Sequence, residues 1–165
     1  MKFDKEDLAY VDWAKKGSEF VFISRNADTA RYTISEVEET RDERNNPIEG
    51  CGTLFYACKG KRFEYKKQTV DTTYTYTLMH LSKTSDKTAE VTVEFEGCFA
   101  MFYDKEFNKK IRIGDKQYSD VDTFQVVHHN FYSFKESKGI CKMWWSKSNG
   151  LLKYQTRDSL IWTRI

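Results

Sequence analysis

The sequence lacks the short signatures that usually announce chemistry. No two of its four cysteines, Cys51, Cys58, Cys98 and Cys141, form a CxxC unit, so the spacing typical of zinc and dithiol redox sites is missing. Neither phosphate-binding glycine pattern occurs, which removes the motif-based case for a nucleotide. No serine sits in a Gly-x-Ser-x-Gly turn, so no nucleophile is assigned. The opening residues Met1-Lys2-Phe3-Asp4-Lys5-Glu6-Asp7 hold none of the apolar stretch a secretory signal needs, and no later run is long enough to span a membrane as a helix. Neither sign of charge dominates either. With 27 basic and 25 acidic residues the net charge is +2, and both signs are scattered, which gives no electrostatic footprint for nucleic acid. No fixed-period repeat or low-complexity tract divides the chain. Its 165 residues suffice for one core without staples, so 1–165 reads as a single, soluble β domain.

What the chain has in quantity is aromatic and β-branched residues. Ten Tyr, twelve Phe and four Trp, with many Thr and Val, suit pleated, half-buried strands better than helices. One short helix is expected over residues 4–13, with Asp4 as N-cap and Asp7 at the capping-box position. Residues 19–25 and 30–37 flank a turn at 26–29 and read as a hairpin, in which Tyr32 and Ile34 share the inner face. The charged stretch 38–49, containing the only proline, Pro47, reads as an exposed loop. A strand over 52–58 is expected to turn at 59–61 into an extended segment running towards Leu81, and 82–87 is a turn. Residues 90–96 alternate cleanly and place Val91, Val93 and Phe95 inward. Gly97 interrupts this pattern, suggesting a bulge or sharp bend before pairing resumes over 98–103. Lys110-Ile111-Arg112-Ile113 precedes a turn at Gly114-Asp115 and a strand over 122–128, and three short strands near 139–146, 151–155 and 160–164 finish the chain. The expected class is all-β: an antiparallel meander of about ten strands closing into a barrel or a two-sheet sandwich, the barrel preferred, with one short N-terminal helix.

Several constellations invite a chemical reading. Adjacent His128 and His129 would point to opposite faces of a strand, and His80 is the only other histidine, so rim histidines are the expectation and no metal is assigned. Glu94 and Glu96 share a strand face at a spacing near that of paired catalytic acids, but alternating glutamates are also what a solvated sheet face shows. Tyr and Lys interleave over residues 63–67 as in single-strand binders, against a near-neutral net charge. Cys51 and Cys58 lie an odd number of residues apart and would face opposite ways in one regular strand, and four small buried hydrophobes are the simplest reading of the cysteines. Aromatics remain. Tyr74 and Tyr76 share one face, Trp144 and Trp145 take opposite faces, and Trp13 and Trp162 are placed over an end of the core. An outward Trp can stack on a sugar ring or bury in a partner, so Trp144, Trp145, Tyr74 and Tyr76 are the candidate binding residues.

Three stretches resemble one family. The run Met143-Trp144-Trp145-Ser146-Lys147-Ser148-Asn149-Gly150-Leu151-Leu152-Lys153-Tyr154, followed by Trp162, is similar to the closing hairpin of uncharacterised predicted lipoproteins of Bacteroides-type bacteria. Gly114-Asp115-Lys116-Gln117-Tyr118-Ser119-Asp120-Val121 is similar to their Gly-Lys-x-Tyr-x-Asp-Val turn and strand with one residue interposed, and Glu6-Asp7-Leu8-Ala9-Tyr10-Val11 with residues 17–23 is similar to their entry segment. The resemblance covers most of the chain. It implies the mature region of an extracytoplasmic protein, lipid-anchored in its full-length precursor, with Met1 an added start residue and disulfides permitted. Cytosolic residence is the alternative. It implies no activity and no cofactor.

The expectation is therefore a noncatalytic extracytoplasmic binding or interaction module that contacts a glycan or an envelope protein through exposed aromatics. The alternative is a barrel carrying a small apolar ligand, lined by Val91, Val93, Phe95 and Met143. A hydrolase with residues gathered only in three dimensions ranks third.

Overall fold

The structure, a computed structural model, describes residues 3–47, 53–68, 73–84, 89–96, 98–102, 107–125 and 139–165; for 40–47, 53–68, 73–77, 84 and 98–102 it describes the backbone alone. After helix α1 (Lys5–Leu8) come β1 (Glu19–Ser24), β2 (Thr29–Pro47), β3 (Thr53–Gln68), β4 (Thr73–Thr84), β5 (Glu90–Phe95), β6 (Cys98–Phe102), β7 (Lys109–Ile113), β8 (Lys116–Gln125), β9 (Ile140–Ser146), β10 (Gly150–Thr156) and β11 (Ile161–Arg164). All pairs are antiparallel, in the order β6-β5-β4-β3-β2-β1-β11-β10-β9-β8-β7. The meander is as expected, and β1 joins the last strand as a closing meander requires, with Phe22 opposite Arg164 and Ser24 opposite Trp162.

The sheet cannot be flat. Six strand spacings separate β5 from β10, about 29 Å at ~4.8 Å per strand, yet the rings of Phe95 and Tyr154 lie 5.4 Å apart. Phe95 also meets Phe22 at 6.3 Å and Tyr32 at 5.0 Å. Two layers of one sheet therefore face each other across these rings. The chain itself limits how far the edges can part. Phe102 and Lys109 end β6 and begin β7, and seven peptide steps reach at most about 25 Å. Among the described residues no pairing joins β6 to β7, so the preferred closed barrel is replaced by an open, sandwich-like arrangement. A meander dictates which strands are neighbours; it does not dictate that the outermost two must pair.

Period-2 patterning explains the core. Phe20, Phe22, Tyr32, Ile34, Val91, Val93, Phe95, Phe124, Met143, Trp145 and Tyr154 are buried together, including every inward position expected on β2 and β5. The contacts among Phe22, Tyr32, Phe95 and Tyr154 fill the space between the layers with side chains. Burial pushes the Tyr154 phenol above its ordinary value, opposed by a hydrogen bond from Tyr32 and reinforced by the Glu96 carboxylate.

One end is closed by the N-terminal segment. Asp4 accepts from the Asp7 amide and Asp7 from the Asp4 amide, each at 2.9 Å, a capping box built from two aspartates. The helix stops at four residues, shorter than expected, because the next turns carry Val11 and Ala14 into the core. Lys83 of β4 reaches Asp7 at 2.6 Å and Asp4 at 3.1 Å. Its hydrogen bonds to Asp7 and then Asp4 raise its pKa, and the Asp7 amide and Lys83 lower that of Asp4.

Four local expectations are corrected. Residues 38–47 are not a loop but the distal half of β2, paired with β3 as far as Pro47 opposite Thr53; ladder pairing overrides the weak strand propensity of charged residues, and proline is tolerated at the strand's last position. The expected turn at 59–61 is absent: Gly60 lies inside β3 between Thr40 and Ser82. The real reversal falls between Gln68 and Thr73, which are register partners; no glycine or proline marks residues 69–72. Finally, β5 ends at Phe95, opposite Cys98, and Glu96 lies beyond the strand end at φ +50°, while Gly97 lies outside the described residues. Glu96 thus leaves the strand face on which it would have paired with Glu94.

Candidate binding surface

The β9–β10 hairpin places two adjacent tryptophans in opposite surroundings. Trp145 has no exposed surface. Its ring packs edge-on against Trp13 at 5.5 Å, and Trp13 packs on Phe20 at 5.4 Å. The Trp13 indole donates to the Tyr10 carbonyl at 2.9 Å, so the N-terminal segment carries its own lid for Trp145. Trp145 is therefore a core residue, and Trp144 is the half-buried surface member of the pair. Trp162 stacks on Tyr154 at 5.8 Å with nearly parallel planes.

Two cations flank Trp144: Lys142 Nζ and Lys153 Nζ each lie 4.9 Å from the centre of its ring. Lys142 follows from sequence, being two residues away on the same strand. Lys153 does not. The pairs Gly150–Ser146 and Leu151–Trp145 would continue to Leu152–Trp144 in a regular ladder, but the register shifts so that Lys153 opposes Trp144. The extra residue, Leu152, is fully buried beside buried Leu151. A β-bulge, invisible to alternation, thus completes the site.

Directly opposed residues share a face, and the ladders extend the surface outward from Trp144. Thr123, Trp144, Lys153, Thr163, Ile23 and Thr29 form one row across β8, β9, β10, β11, β1 and β2. Gln125, Lys142, Gln155 and Ile161 form the next. All ten are exposed or partly exposed. A groove of about 390 Å³ beside them is lined by Ile23, Arg25, Lys153, Ile161 and Thr163 among others. Lys142 and Lys153 have no carboxylate partner among the described residues, whereas Lys16, Lys83 and Lys109 are paired with Glu36, Asp7 and Asp122 at 2.8, 2.6 and 2.6 Å.

The hairpin is held by a polar clamp. The Asp120 carboxylate of β8 accepts from the Ser146 hydroxyl at 2.9 Å, the Ser148 amide at 2.8 Å and the Ser148 hydroxyl at 2.6 Å. Ser146 Oγ accepts from the Asn149 amide at 3.0 Å, and the Arg164 guanidinium donates to the Asn149 carbonyl at 2.6 Å. Burial alone would raise the Asp120 carboxyl, but the Ser148 and Ser146 hydrogen bonds outweigh it and hold the group below its ordinary value. Two of the stretches that carry the family resemblance, 114–121 and 143–154, are thereby joined through Asp120. Gly150 closes the turn at φ +76°, and a Cβ there would collide with the Trp13 ring.

Tyr74 and Tyr76 lie in β4 opposite Lys67 and Tyr65, six strand steps from β9; their side chains lie outside the described residues, as do His128, His129 and the side chains of 63–67 and of Cys51, Cys58 and Cys98. Cys141 is a free thiol 3.4 Å from the Gln155 carbonyl. Among the described residues no three His, Cys, Asp or Glu side chains gather as metal ligands, and no helix is long and apolar enough to cross a membrane. No protein-family model, no curated protein and no solved structure matches the chain.

Proposed function

We propose that this chain is a noncatalytic, extracytoplasmic binding module that engages a glycan through the outer face of β8–β11 and β1, centred on Trp144. The observation that carries the reading is the half-buried Trp144 beside two cations that no carboxylate among the described residues neutralises, on a face otherwise lined by threonines, glutamines and isoleucines. Aromatic rings accept the C–H face of a sugar, while hydroxyls and amides meet its edge. The resemblance to envelope lipoproteins supports the compartment. Placing a small apolar ligand between the layers is less favoured, because Phe22, Tyr32, Phe95 and Tyr154 already occupy that space with one another.

A glycan array probed with the intact chain and with Trp144→Ala tests the reading. Binding to at least one glycan class should be lost in the variant while its unfolding midpoint is retained. Silence across neutral and acidic glycans alike would refute it.

A further inference from the structure

Resting on that reading, the geometry points to an acidic polysaccharide, one bearing carboxylate or sulfate groups, as the ligand class of the Trp144 face. Lys142 and Lys153 place their ammonium groups 4.9 Å from the same indole ring, and neither has an ion-pair partner among the described residues. An exposed cation–π contact is worth only about 0.5–1 kcal/mol, and lysine stems are flexible. An arriving sugar can therefore displace an ammonium from the ring face, lay its own apolar face there, and offer that ammonium an anionic substituent. A neutral sugar would displace the cation and give it nothing.

Arg25, exposed at the end of β1, extends the positive charge along the groove that Lys153 shares. The nearest acidic side chain on the same face of β1 is Glu19, beyond Val21 and about 13 Å from Ile23 at ~3.3 Å per residue. The row from Thr123 to Thr29 crosses six strands, about 24 Å, long enough for several sugar units and repeatedly furnished with hydroxyl groups. An anionic membrane fits less well. Trp144 is half-buried within a strand and cannot project into a bilayer, and Ile165 is the exposed large hydrophobic residue among those described.

The test is calorimetric titration of the intact chain with polygalacturonate, with neutral dextran and with phosphatidylglycerol vesicles. The expected result is binding to polygalacturonate that weakens as salt screens it, weakens about tenfold or more in Lys142→Gln/Lys153→Gln, as loss of roughly 0.7 kcal/mol per cation implies, and is lost in Trp144→Ala. Equal, salt-insensitive binding to dextran would overturn the acidic ligand class while leaving the glycan-binding reading intact. Polygalacturonate binding unchanged in the double variant would overturn the site. Vesicle binding without polysaccharide binding would overturn the occupant, and binding to none of the three would overturn both this inference and the reading on which it rests. Unfolding curves for each variant separate loss of binding from loss of fold.

Discussion

The two faces of the β9–β10 hairpin show how neighbouring residues of one kind acquire different work. On the inner face Trp145 is sealed by Trp13, which is in turn fixed by its bond to Tyr10 and by the missing side chain of Gly150. On the outer face Lys142 and Lys153 hold their ammonium groups over the half-buried ring of Trp144. The inner tryptophan is held by shape and excludes substitution. The outer one is framed by charge that no carboxylate among the described residues neutralises and leaves room for something else to arrive. The difference teaches that the hairpin's stability and its binding chemistry are separable, and variants can be chosen to break that separation.

The largest expected effect is on the inner face. Trp145→Ala should cost about 3–5 kcal/mol of unfolding free energy, as truncation of a buried large aromatic does, measured by urea denaturation. If it costs no more than Trp144→Ala, the two faces are not different in kind. Gly150→Ala comes next, with a loss of about 2 kcal/mol from combining a positive φ with overpacking against Trp13. The double variant Trp13→Ala/Gly150→Ala apportions these causes: removing the ring should recover the part due to collision and leave the backbone part.

The clamp beneath the turn adds a pH dependence. Because the folded Asp120 carboxyl lies below its ordinary value of 3.8, its contribution is present above the unfolded pKa and is lost as pH falls through the lower folded one. Asp120→Ala should cost about 1–2 kcal/mol at neutral pH, the scale of lost charge-assisted hydrogen bonds. It should also lose less stability than the parent as pH falls below about 4. Thermal unfolding across that window checks both. Asp4, lowered by the Asp7 amide and Lys83, acts in the same direction at the opposite element and should leave a residual acid limb in the variant.

Much of this architecture could be read from alternation alone. Tyr32, Ile34, Val91, Val93 and Phe95 announce their inward face, and the aspartate cap, the Gly114-Asp115 turn and the three closing strands all appear where local chemistry places them. The failures share a cause. Residues 38–47 are strand because β3 pairs with them, and β3 ends at Gln68 opposite Thr73 with neither glycine nor proline between them, so in both places ladder pairing decides and local punctuation does not. The site divides the same way. The opposite facing of Trp144 and Trp145 is a period-2 inference, but Lys153 reaches Trp144 through the Leu152 bulge, and the Asp120 clamp spans 26 residues to Ser146. Alternation says which way a side chain points; register says what it meets.

The smallest expected change in stability is also the sharpest discriminator. Trp144→Ala should shift unfolding by less than about 1 kcal/mol, since it removes a half-buried ring at the surface and not a core residue. Lys142→Gln and Lys153→Gln should each cost about 0.5 kcal/mol or less. A double-mutant cycle between Trp144 and either lysine should return a coupling of the same small size, as a solvent-exposed cation–π contact does. A coupling of 2 kcal/mol or more, the range reached by desolvated cation–π contacts, would mean that the lysines are committed to the fold and that the outer face is as closed as the inner one. A small coupling leaves both ammonium groups available at little structural cost, which is the condition an anion-binding surface has to meet.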